Sequence, residues 1–120
     1  MLDHLYVGVS DLESSAAFYA GALAPLGMSE VFRRPGQVAF GVGGRPRFFI
    51  RAGGGREPVH VAFEAPDRET VDRFHAAALA AGGRDNGAPG IRAHYHPNYY
   101  GAFVLDPDGH NIEAVCHTPG

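Results

Sequence analysis

The chain contains no lysine, only one cysteine, and no apolar run approaching the roughly 20 residues needed to span a bilayer as a helix. Each shortage excludes something. Ten basic side chains against thirteen acidic ones leave a formal charge of -3, with no cationic run to neutralise a phosphate backbone, so nucleic acid is not an expected partner. A lone Cys116 cannot form an intrachain disulfide and fits a reducing compartment. The N-terminus lacks a charged-then-apolar leader pattern, and the expected location is the cytoplasm, away from any membrane.

What is present suits one compact unit. At 120 residues and 45% apolar, the chain can bury one substantial core, giving a single domain over 1–120. Seventeen glycines and nine prolines punctuate periodic apolar segments and mark turns rather than disorder.

An internal repeat organises those segments. When the sequence is displaced so that His4 falls on His60, Asp11 falls on Asp67, Phe18 on Phe74, Ala22 on Ala78, Leu23 on Leu79 and Gly27 on Gly83. Such self-similarity implies a duplicated supersecondary unit. Each unit opens with a strand and continues into a helix. In the first, Ser10 and Glu13 have capping-box spacing, and Leu12, Ala16, Tyr19, Leu23 and Leu26 form an apolar stripe. In the second, Asp67 is the expected cap, Val71, Phe74, Ala78 and Leu79 form the stripe, and "AAGG" ends the helix.

Strand-like segments follow: "MSEVFRR", "QVAFGV" and "RFFIRA", then "YYGAFVL" and "NIEAVCH". A further strand is expected between Gly82 and Pro97, although most of that stretch reads as loop. The resulting pattern is strand, helix and three strands, used twice: an α+β fold with helices on one face of mixed sheets. The first module covers about 1–52, the linker about 53–57 and the second module about 58–120. The glycine-rich "RAGGGREP" lacks the Lys-Ser/Thr of a phosphate loop and is assigned to that linker.

Strand alternation then selects candidate ligands. In "HLYVGV" the apolar Leu5, Val7 and Val9 oppose His4 and Tyr6; in "HVAF" Val61 and Phe63 oppose His60; in "NIEAV" Ile112 and Ala114 oppose Glu113. Two imidazoles and one carboxylate directed off the helix-packed face are the donor set that holds a divalent metal with open coordination positions. The metal could be Zn, Fe, Mn or Ni. A lone strand histidine is more often a hydrogen-bonded residue than a ligand, so the expectation rests on the three as a repeat-related set.

A second cluster lies in "AHYHPNYYG", where His94, His96, Tyr99 and Tyr100 provide titratable groups and amphipathic rings. His94 or His96 could act as general acid or base, with Tyr99 or Tyr100 orienting a substrate; the alternative is a polar loop with satisfied aromatics. Cys116 is expected to be a buried small hydrophobe, and His75, His110 and His117 to be surface residues.

The stretches "DHLYVGVSDLESSAAFYAGALAPLGM", "HVAFEA" and above all "AFVLDPDGHNIEAV" resemble the vicinal oxygen chelate superfamily, which includes glyoxalase I, extradiol dioxygenases, fosfomycin-resistance transferases and bleomycin-resistance proteins. The likeness covers essentially the whole chain. It implies paired βαβββ modules forming a cup, metal at the positions of His4, His60 and Glu113, and a homodimer. Three departures bear on the reaction. Phe49 aligns with Glu113 where glyoxalase I supplies a fourth ligand, Phe103 stands where extradiol dioxygenases carry a tyrosine, and no lysine is available for phosphonate binding.

The reading that follows is a metal-dependent enzyme acting on a small substrate chelated through adjacent oxygens. Its reaction is either a glyoxalase-like lyase or isomerase step or extradiol-type dioxygenation. The competing readings are a non-catalytic protein that sequesters a small molecule, as bleomycin-resistance proteins do, and a purely structural dimerisation module.

Overall fold

Each strand-helix boundary in this chain is set by an aspartate. Asp11 and Asp67, equivalent in the repeat, are extended residues whose carboxylates accept from the backbone N–H of Ser14 (3.1 Å) and Thr70 (2.7 Å), so both helices start on an N-cap. The cap of the first helix is therefore Asp11 and not Ser10. Ser10 stands outside the helix because its own N–H is engaged by the Asp108 carboxylate, and Glu13 pairs with Arg33 at 3.0 Å instead of reaching back.

The computed structural model describes residues 1–53 and 57–120. The first module runs β1 (Leu5–Val9), α1 (Leu12–Leu23), a short 3-10 turn, β2 (Ser29–Arg34), β3 (Gln37–Val42) and β4 (Arg45–Ala52). The second repeats the order with β5 (His60–Glu64), α2 (Arg68–Ala80), β6 (Arg84–Ile91), β7 (Tyr100–Leu105) and β8 (Asn111–Cys116). Each module carries a four-stranded mixed sheet, ordered β1-β4-β3-β2 and β5-β8-β7-β6. In both, the opening strand lies parallel to the last and the other pairings are antiparallel. This is the α+β, two-module architecture that the repeat implies. The expected linker, about 53–57, falls mostly on 54–56, outside the described residues.

One apolar core runs through both modules. Phe18 and Phe74, and Ala22 and Ala78, are fully buried repeat mates, whereas Leu23 is buried and its mate Leu79 is 38% exposed. The modules meet where bulk is excluded. A Cβ on Gly83 would lie 2.6 Å from the Phe18 ring and 2.4 Å from Val104, and one on Gly21 would lie 2.8 Å from the Ala81 Cβ. The turn after α2 thus presses directly onto α1, and a side chain at Gly83 would force the helices apart.

The strand expected between Gly82 and Pro97 is β6, an edge strand whose pairing with β7 shifts register around Gly87 and again before Gly90. Pro89 and the two glycines sit in those irregularities, which are tolerated at an edge. Residues 92–99 are turns.

The α2 cap gives a pH-dependent stability. The Thr70 side chain and N–H, both bonding to Asp67, hold its carboxyl below the ordinary 3.8. A depressed carboxylate stabilises the fold above its unfolded pKa, and that contribution disappears as pH falls through the folded value. Asp67→Ala should lower Tm by a few degrees at pH 7, and the difference from the parent should close near pH 3 in thermal denaturation followed by circular dichroism.

Candidate functional site

The candidate site is built on β8. Ile112, Ala114 and Cys116 are fully buried on the helix side, so alternation sends Glu113 to the opposite face. Its cross-strand neighbours there are Ala62 of β5 and Phe103 of β7, with His60 one pleat along from Ala62. The carboxylate is only 1% exposed. It is covered by its own hydrogen-bond partners: His60 Nε2 lies 2.7 Å from Oε1, and the Tyr99 hydroxyl donates to Oε2. Gly101 makes this possible, because a Cβ there would lie 3.2 Å from the Tyr99 ring and 3.3 Å from Glu113 Oε2. Burial, followed by the Glu113 hydrogen bond and charge, pushes the Tyr99 phenol well above its usual range, so it remains a donor at neutral pH.

His60 is half exposed while its partner is buried. The imidazole nitrogen and the carboxylate oxygen aim at one another across a shared proton. Both atoms can turn a lone pair toward a cation in place of that proton, so His60 and Glu113 fit two positions of a divalent-metal donor set.

His4 is placed elsewhere, on the first module's sheet just before β1. Its Nδ1 is 2.8 Å from Asp3, and its ring meets the edges of Tyr6 and Phe49. Tyr6 and Phe49 stack at 4.4 Å, with the Arg51 guanidinium over Tyr6. Among the described residues no three His, Cys, Asp or Glu side chains gather as a metal requires, so one chain brings two of the three expected ligands together and keeps His4 apart. The register also explains Phe49. It pairs with Tyr6 as Glu113 pairs with Ala62, so a phenyl ring occupies the first module's equivalent of the carboxylate position. A cleft of about 160 Å³ opens beside His4, lined by Leu5, Arg47, Phe48, Val61 and Phe63; it borders the His4 end and not Glu113.

The 92–100 segment folds back on itself. Arg92 N donates to Tyr99 O (2.7 Å) and Tyr95 N donates to Arg92 O (2.9 Å), which closes an arch. His94 lies against Tyr95, and Tyr95 against Tyr99. Asn98 N–H donates to His96 Nδ1 at 3.1 Å, which leaves the proton on Nε2; that atom is 2.8 Å from His117 Nδ1 and donates to it. Tyr99 is thus the member of this segment that reaches Glu113, with His96 and His117 against its ring. Tyr100 is on the other face of the sheet, where its hydroxyl donates to Asp72 of α2 at 2.6 Å and Arg68 lies over its ring.

Two of the three histidines expected at the surface, His110 and His75, depart from it, and His117 does not. His110 is fully buried: Val59 N–H donates to its Nδ1 at 3.1 Å and its Nε2 donates to Gly8 O at 2.8 Å. His75 is only 13% exposed and pairs with Asp85 at 2.9 Å. His117, though exposed, is tied to His96. Cys116 is fully buried, as expected of a small hydrophobe, with its Sγ 2.9 Å from the Thr118 hydroxyl.

Comparison with known proteins supplies the family context. The model of the Glyoxalase/Bleomycin resistance protein/Dioxygenase superfamily matches residues 1–114. A glyoxalase/bleomycin resistance protein from Albidiferax ferrireducens is similar at 30% identity, with 97% of this chain and 98% of that chain covered and a TM-score of 0.81. A glyoxalase-related enzyme from Fulvimarina pelagi shares the fold at 23% identity, covering 97% and 87%, with a TM-score of 0.75. So does a glyoxalase/bleomycin resistance protein/dioxygenase family enzyme from Burkholderia phytofirmans, at 21% identity, 98% of each chain and a TM-score of 0.74. No curated protein matches the sequence.

Proposed function

The chain belongs to the glyoxalase/bleomycin resistance protein/dioxygenase superfamily, and from that membership we propose a metal-dependent enzyme acting on a small substrate chelated through adjacent oxygens. The observation that carries the proposal is the convergence of His60 Nε2 and Glu113 Oε1 at 2.7 Å on the open face of the second sheet. His60, Glu113 and His4 would hold the metal. Because His4 sits on the other module, the set closes only when the first module of one copy faces the second module of another, so the proposed working form is a homodimer. One domain of two modules, about 1–52 and about 58–120, is part of the same proposal, as is a cytoplasmic location.

A divalent ion bound there supplies Lewis-acid polarisation of the substrate oxygens. The chain's own groups do the rest. Tyr99, held by Glu113 and kept protonated, presents a hydroxyl at the edge of the site; the His96–His117 pair beside its ring can take or return a proton. His94 lies farther out along the same stack, and Tyr100, on the helix side, braces β7 against α2. The reaction is either a glyoxalase-like lyase or isomerase step or an extradiol-type ring opening. Phe103 puts no hydroxyl next to Glu113 in β7, so the second depends on the Tyr99 hydroxyl that bonds Glu113 taking that place.

One observation favours a second reading, a non-catalytic small-molecule binder. Both Glu113 oxygens have hydrogen-bond partners within the chain, His60 and Tyr99. Elemental analysis of protein purified without chelator separates the two. The enzyme reading expects close to one transition-metal ion per chain and a dimer in sedimentation; a metal-free chain that also fails to take up Zn, Fe, Mn or Ni on dialysis leaves the binder.

A further inference from the structure

A cation stands on the same sheet face as Glu113 with no acid among the described residues paired to it. Arg92 lies just beyond β6 and turns back along it: Nη1 donates to Gly90 O at 2.9 Å and Nη2 to Ala88 O at 2.8 Å. Its guanidinium is thereby laid over the Phe103 ring, 5.3 Å from the centroid. Phe103 is the cross-strand neighbour of Glu113, and its ring is 6.0 Å from that of His60. Space for this pose is kept by glycines. A Cβ on Gly87 would lie 3.1 Å from Nη2 and one on Gly90 3.3 Å from Nη1.

Among the described residues Arg92 forms no ion pair, as is true of every described arginine except Arg33 and Arg47; what sets it apart is that two backbone carbonyls fix it half-buried against an aromatic ring beside the site. Guanidinium carries five N–H donors in a rigid fork, and the two carbonyl bonds leave the rest unassigned. A half-buried cation fixed by neutral acceptors, stacked on an aromatic ring and lacking a counter-ion is arranged to receive an anion from outside the chain.

We propose that Arg92 is the anion-recognising residue of this site, and that the substrate carries a carboxylate that it receives. This rests on the reading of that pair as a small-molecule site and adds the charge and class of the ligand. A planar carboxylate matches the fork bidentately, whereas a neutral carbonyl compound of the same shape leaves the cation unmatched. Arg92 would act on specificity, since it reaches the substrate's anionic end and not the metal position.

Isothermal titration with mandelate and with its neutral analogue mandelamide tests this, on protein whose metal content is measured in the same preparations. The parent should prefer the anion by about ten-fold or more, a preference that weakens with added salt. Arg92→Gln should remove the preference with metal content unchanged, and Arg92→Lys should retain part of it, because the charge survives and the fork does not. Equal binding of the two probes by the parent, or a preference that survives in Arg92→Gln, overturns the inference and leaves the metal-site reading standing. An anion preference lost in Arg92→Gln from a chain that holds no metal would do the reverse. A lowered Tm in Arg92→Gln with unaltered discrimination would assign Arg92 a purely structural role, and failure of the parent to bind either probe would likewise sink the proposal.

Discussion

Glu113→Gln is expected to lower the affinity of the chain for a divalent metal by about 100-fold or more, with turnover falling in parallel. The substitution keeps the volume of the side chain and removes one formal charge from a position only 1% exposed. A glutamine amide must turn its NH2 toward either His60 or Tyr99, so that neighbour has to switch from donor to acceptor; the neutral oxygen that remains is a weak metal donor. His60→Ala should have an effect of the same order, because it deletes the other half of the converging pair. Tyr99→Phe provides the contrast. It frees Glu113 Oε2, so an enzyme that holds metal there should bind the ion at least as tightly as the parent while losing turnover. A binder that needs the phenol should lose its ligand and gain no metal affinity. Metal titration with a competing chelator, on variants first shown to be folded by circular dichroism, measures all three.

How far this site is legible in the sequence depends on the range of the interaction. The pairing of His60 with Glu113 follows from alternation within two strands of one repeat unit, so period two and the repeat suffice to place both on one face. His4 obeys the same local rule, yet its distance from Glu113 depends on how two sheets sit relative to each other, which no local pattern encodes. The same division explains the fold. Both helices are legible because their apolar stripes match and a polar capping residue precedes each, although the first cap is one residue later than the Ser10 spacing suggests, while β6 is obscured by Gly87, Pro89 and Gly90, whose irregular pairing is supported only by its neighbour β7. Tyr99 is legible as an aromatic in an unusual segment, but its choice over Tyr100 turns on which face of β7 each occupies. Arg92 is legible only as one of ten arginines on which anion binding must rely in a chain without lysine. Its meaning lies in two backbone carbonyls and a phenyl ring that only the folded chain assembles.

The burial of His110 is the least legible feature and carries the second large effect. Residues 106–110 form a polar turn that sequence patterns assign to solvent, yet Asp106 is 1% and His110 0% exposed, because the turn is pressed into the first module. Asp106 accepts from the Tyr19 hydroxyl of α1 and from the N–H groups of Asp108 and His110; Asp108 accepts from Ser10 N; His110 joins Gly8 of β1 to Val59 ahead of β5. Asp106→Ala would strand a buried phenol and two N–H donors at once. With each unmatched group destabilising by about 1–3 kcal/mol, a loss of about 3–5 kcal/mol is expected, a large part of the stability of a domain this size. His110→Ala should destabilise by about 2–3 kcal/mol through two lost bonds and a cavity. The clasp also sets an alkaline limit. Burial, then the Asp106 charge, raises the Tyr19 hydroxyl well above its ordinary 10.0. A group with a raised folded pKa contributes fully below the unfolded value, and its contribution is lost as pH climbs through the interval above it. Stability in urea should therefore hold up to about pH 10 and then decline, and Tyr19→Phe should start lower at pH 7 but decline less steeply, Tyr99 and Tyr100 contributing to the remaining slope. A Tyr19→Phe, Asp106→Asn double-mutant cycle isolates their coupling, which should be well above the scatter expected for independent sites if this turn joins the modules.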